Sequence, residues 1–109
     1  MKTKNLGLKK TSYAYPEQYD VMHIPEDTFL RQLFNRPLKP VNVGYIRYRD
    51  NIVECYPVVN GTIVVDKILY TEKIPEKYGN ATIPAELRDR IMSKCFSALA
   101  KFYRFRKIK

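Results

Sequence analysis

The run Thr82-Ile-Pro-Ala-Glu-Leu-Arg-Asp-Arg-Ile-Met-Ser-Lys-Cys-Phe-Ser-Ala-Leu-Ala-Lys-Phe-Tyr-Arg-Phe-Arg-Lys-Ile-Lys109 decides the fold of this chain. At 100° per residue it sets Leu87, Ile91, Cys95, Ala98, Leu99, Phe102 and Phe105 on one stripe. Met92, Phe96 and Tyr103 widen that stripe. Glu86, Asp89, Arg90, Ser93, Ser97, Lys101, Arg104 and Lys107 lie opposite. Thr82 and Pro84 are a helix-start signal: a capping hydroxyl, and a proline whose missing N–H costs nothing in a first turn. A stripe this wide and aromatic needs a partner layer, and the preceding sequence predicts one.

From Val41 the apolar period changes from 3.6 to two. Val43 to Arg49 alternates, Asp50-Asn51 turns, Ile52 to Val59 returns, and Asn60-Gly61 supplies a second tight turn, because both of its central positions need positive φ. Thr62 to Tyr70 reads as the third strand. Upstream, Pro25 opens a short helix over Glu26 to about Asn35 that Pro37 and Pro40 end. Asp20 to Ile24 reads as a short strand. The segment Ser12 to Tyr19, with Pro16 among its tyrosines, reads as extended chain lying across a surface. The expected fold is α+β: a short helix, a three-stranded antiparallel meander, and a long amphipathic C-terminal helix packed on the sheet. Residues 1–12 are expected to be a mobile basic arm, and 13–109 a single domain.

The formal charge of +9 is unevenly placed. Residues 1–12 carry Lys2, Lys4, Lys9 and Lys10, and residues 100–109 carry Lys101, Arg104, Arg106, Lys107 and Lys109; neither segment has an acid. Acids and bases cancel between them, so all the net charge sits at the two ends. This asymmetry points to a polyanion partner. Lys101 to Lys109 interleaves bases with rings, the mixture that meets phosphates with charge and nucleobases with ring faces. With the first twelve residues folded back beside the helix end, Lys4, Lys9, Lys10, Lys101, Arg104, Arg106 and Lys107 make one patch, with Tyr103 at its edge as the ring for base or sugar contact. On the sheet, Tyr45, Arg47 and Arg49 share a face and resemble a stacking platform, although Glu54 on the next strand is set to neutralise Arg47.

Chemistry has less to draw on. His23 is the one histidine; Asp20, Glu26 and Asp27 near it suit a held general base, and equally suit an ordinary histidine at a strand end. Cys55 and Cys95 fall on apolar faces, where thiols are inert, and lack metal-ligand spacing. The four glycines are scattered, so no loop cradles phosphate. No cofactor and no enzymatic activity are expected.

The stretch Gly79 to Ile91, with Thr82-Ile-Pro and Glu86-Leu-Arg inside it, resembles a signature of the swapped-hairpin transcription factors. In that family the helix is short and a strand follows; here the helical pattern runs on, so the likeness reads as a shared way of starting a helix. Residues 1–12 have no apolar stretch after their lysines and no run is long enough to span a bilayer, which predicts an intracellular protein with no membrane partner. The leading expectation is a small non-enzymatic nucleic-acid-binding protein for DNA or RNA, of a composition that suits a viral or phage accessory factor. The alternative is an interaction module whose basic ends meet an acidic protein partner. The wide apolar face also predicts contact with a second copy as a homodimer.

Overall fold

A computed structural model describes residues 6–12, 16–24, 40–79 and 82–104. The fold class is the expected one, α+β, with a larger sheet than the sequence predicts. Its strands are β1 (Leu6–Ser12), β2 (Glu17–His23), β3 (Val41–Arg49), β4 (Ile52–Val59), β5 (Thr62–Ile63) and β6 (Tyr70–Lys73), followed by a 3-10 turn and helix α1 (Ala85–Arg104). The sheet is antiparallel in the order β1-β2-β3-β4, with β5 and β6 both along the outer edge of β4. The helix expected over Glu26 to Asn35 lies outside the described residues.

β2 starts at Glu17, inside the segment expected to lie across a surface, because Glu17 to Tyr19 pair with Tyr48 to Ile46 of β3. The sheet differs from the sequence reading in two further respects. The expected third strand is broken in two. In a strand, a residue's N–H and C=O point to the same edge. The Pro57 carbonyl accepts Val64 N–H at 2.9 Å, so its missing donor faces that edge too. The chain leaves the ladder there and rejoins where Leu69 N–H meets the Cys55 carbonyl at 2.8 Å. The second difference is β1. Leu6 to Ser12 is an edge strand, not a loose arm: Leu6 is buried, and Leu6 to Lys10 pair in unbroken register with His23 to Tyr19.

Both tight turns are as read, with Asp50 and Asn51 at φ 52° and 63°, and Asn60 and Gly61 at 52° and 79°. The helix lies on one sheet face. Ile91, Met92, Cys95, Leu99 and Tyr103 are its buried residues, in one core with Tyr19, Val21, Ile46, Tyr48, Val53 and Cys55. The inward line thus runs through Met92 and Tyr103, which the helical wheel puts at the flank, while Leu87 and Phe102 are only half-buried. Gly44 allows the close approach: a Cβ built there falls 2.5 Å from Leu99 Cδ1.

Hydrogen bonds fix the direction of α1. At its start Glu17, 2% exposed, accepts Ile83 N–H at 3.2 Å and the Tyr19 hydroxyl, with Arg88 Nη2 at 3.6 Å to balance its charge. Just before α1, Tyr48 Oη and Asn51 Nδ2 donate to the Gly79 carbonyl at 2.7 and 2.9 Å. At the far end, the Tyr103 hydroxyl donates to the Val43 carbonyl at 2.9 Å and also meets the Val58 carbonyl. These carbonyls follow the last β3–β4 pair, Gly44 with Pro57, so the hydroxyl satisfies backbone where the ladder ends.

Candidate polyanion interface

The strand register and the helix direction together define a basic pole. Leu6 pairs with His23, and His23 with Val41. Tyr103, one residue from the last described helical position, is bonded two residues along, at Val43. The first described residue of β1 and the last of α1 therefore lie at the same end of the sheet. Residues 1–5 and 105–109, with Lys2, Lys4, Arg106, Lys107, Lys109 and no acid, are joined to the chain there. Lys101 and Arg104 are exposed on the last turn of α1. Lys67 belongs to the same neighbourhood, its ammonium 5.2 Å from the Phe102 ring centre. Lys67 was not among the sequence candidates; the available signal was Pro57, which ejects the 64–69 segment toward the helix end.

The predicted residues divide. Lys101 and Arg104 sit at the pole; Lys4, Arg106 and Lys107 lie outside the described residues. Lys9 and Lys10 do not join them. Adjacent strand residues point to opposite faces. Lys10 places its ammonium 5.7 Å from the Tyr19 ring on the helix side, and exposed Lys9 pairs with Asp20. Along β1 they sit three and four residues from Leu6, roughly 10 and 13 Å at the strand rise. Of the described members of the expected seven-residue patch, Lys101 and Arg104 are therefore together and Lys9 and Lys10 are apart from them. Tyr103 is corrected: the residue is 8% exposed and its hydroxyl is bonded to backbone, so it offers no face for stacking. It turns inward because the helix approaches the sheet along the Gly44–Leu99 contact.

The Tyr45, Arg47 and Arg49 face is a bonded network, not an open platform. Arg47 Nη2 meets Glu54 Oε1 at 2.9 Å, and the Tyr56 hydroxyl donates to the other oxygen at 2.8 Å. Tyr45 donates to Gln18 Oε1 at 2.9 Å, and its ring centre lies 6.3 Å from that of Tyr56. Burial alone would raise the Glu54 carboxyl, but the bonds from Arg47 and Tyr56 more than offset it and hold it below the ordinary value. Arg47 is thus neutralised locally, as its cross-strand register with Glu54 implies. Arg49 is half-exposed at the opposite end of the sheet, 3.8 Å from Asp50.

Remaining candidates for chemistry are quiet in this geometry. Burial lowers the His23 pKa below its ordinary value, so it adds no charge to the pole near neutral pH. Cys55 and Cys95 are free and fully buried where α1 crosses β4. A hydrogen bond from Cys95, with burial, pushes the Cys55 thiol up and keeps it protonated. Among the described residues no three His, Cys, Asp or Glu side chains are grouped to hold a metal, and no helix is long and apolar enough to cross a membrane.

Among the described residues these features define an α+β domain with a six-stranded antiparallel sheet, a covering C-terminal helix and a basic pole. Comparison with protein-family models, with curated proteins and with solved structures finds no match to it.

Proposed function

We propose that this protein binds nucleic acid through phosphate contacts made at the basic pole, without base-specific readout and without catalysis. One observation carries the reading: the two acid-free basic segments, far apart in sequence, are joined to the fold at the same end. Clustered cations gain by releasing condensed counterions from a phosphate backbone, and the gain grows with each phosphate neutralised. An orientation with the pole against the backbone leaves the Arg47–Glu54 network and Arg49 out of contact. The test is fluorescence-anisotropy titration of short single- and double-stranded DNA and RNA across a salt series. Each contact contributes about 0.9 to the log–log slope on duplex DNA and about 0.7 on single strands. Neutralising Lys101, Arg104, Arg106 and Lys107 together flattens the duplex slope by roughly 3 to 4. Arg49→Gln, at the other end, leaves it unchanged. Absence of binding at low salt overturns the reading, as does equal weakening by Arg49→Gln, which would mean that net charge alone is at work.

A further inference from the structure

The excursion between β5 and β6 carries a surface that phosphate contact does not use. Val65 is 73% exposed, Ile68 48% and Ile63 37%. Isolated aliphatic residues on a surface need no explanation, but three within six residues on one protruding loop form a concentrated apolar tip. The loop's position is set by the backbone bonds that bracket it, Val64 N–H to the Pro57 carbonyl and Leu69 N–H to that of Cys55. Lys67, between the exposed aliphatics, reaches over the Phe102 ring, so the tip adjoins the last turn of α1 with exposed Lys101 and Arg104.

Two chemistries are therefore side by side: branched aliphatic side chains in water, and cations. Nucleic acid backbones reward the second and not the first. A second copy docking tip to tip would bury the aliphatics but bring the two basic poles together. An anionic lipid surface takes both, with aliphatic side chains at the acyl boundary and cations among the headgroups. Asp66 is the one acid in the loop; it is exposed and next to Lys67.

We propose that the 63–68 loop seats this protein on anionic lipid bilayers, with Val65 and Ile68 entering the interface and Lys67, Lys101 and Arg104 resting on the headgroups. The protein lies on the membrane and does not cross it. The proposal shares Lys101 and Arg104 with the nucleic-acid reading but depends on Val65 and Ile68, which that reading does not need, so the two fail separately.

The test is co-sedimentation of the full chain with vesicles of phosphatidylserine in phosphatidylcholine, and with pure phosphatidylcholine vesicles. The protein is expected to pellet with the mixed vesicles and to stay in the supernatant with the neutral ones. The charge-neutral pair Val65→Ser and Ile68→Ser lowers vesicle affinity about tenfold. Both positions are exposed, so circular dichroism of the variant matches the parent, and its affinity for duplex DNA is unchanged. Failure of the parent to pellet with the mixed vesicles overturns the proposal. Pelleting unaffected by the two serines also overturns it, since adsorption is then by charge alone. So does a dimer in sedimentation velocity that the serines dissolve, because a second copy would then be the occupant.

Discussion

Substituting Gly44 tests what sets the distance between helix and sheet. An alanine Cβ at this position lies 2.5 Å from Leu99 Cδ1, 3.0 Å from Leu99 Cδ2 and 3.2 Å from Val21 Cβ. Carbon atoms in contact settle near 3.5–4.0 Å, so the closest approach is short by about 1 Å. Leu99 is a flexible group in principle, but it is fully buried, and Tyr103 one turn later is bonded to the carbonyl beside Gly44. The helix cannot retreat without breaking that bond. Overpacking of this kind costs about 1–3 kcal/mol, offset by about 0.5–1 kcal/mol from removing a flexible glycine from a strand. A net loss of about 1–2 kcal/mol is expected, near 4–8 °C in Tm for each kcal/mol. Leu99→Ala alone should cost about 2–5 kcal/mol through the cavity it leaves. The double variant, in which the new methyl occupies part of that cavity, should be less destabilised than the sum by about 1 kcal/mol or more. Urea unfolding followed by circular dichroism reads all four corners of the cycle, with m unchanged. A neutral or stabilising Gly44→Ala, or losses that add to within about 0.5 kcal/mol, would refute the idea that this contact sets the spacing.

Tyr103→Phe keeps the ring and removes the hydroxyl that satisfies the Val43 and Val58 carbonyls; a loss of about 1–3 kcal/mol is expected in the same urea assay, and no loss would show that the hydroxyl is dispensable at the end of the ladder. The Glu54 carboxyl is held below its ordinary value of 4.5 in the fold, so its stabilisation is complete above that pH and is lost as pH falls through the depressed value. Glu54→Gln should therefore make the acid limb of a stability–pH profile shallower, by about 1 kcal/mol between neutral and acid plateaus, while an unchanged acid limb would mean that the Arg47 and Tyr56 contacts contribute nothing.

What could be read in the chain was local. The long helix, its start near Pro84 and the turns at Asp50-Asn51 and Asn60-Gly61 depend on residues close in sequence, whose periodicity and φ preferences act before any tertiary contact forms. The strands around those turns were legible for the same reason, and so was the cross-strand match of Arg47 with Glu54. The split of the third strand had a cue, Pro57, but its effect depends on which edge the missing N–H faces, and that is a matter of pairing. β1 had almost none: Leu6 and Leu8 alternate, but Lys9 and Lys10 mask the pattern, and the strand is completed by its register with β2.

The candidate site divides along the same line. That all net charge belongs to the two ends of the chain is a property of the sequence alone, because it needs only residue identities. That Leu6 and Arg104, the first and last described residues, lie at one end of the sheet, that Lys9 and Lys10 part to opposite faces, and that Tyr103 turns inward were decided by tertiary structure. Each follows from strand register or from the rotation of α1 on the sheet. Both are set by contacts between residues far apart in the chain, above all Leu99 over Gly44 and Tyr103 at the end of the β3–β4 ladder, and local sequence carries no record of such contacts.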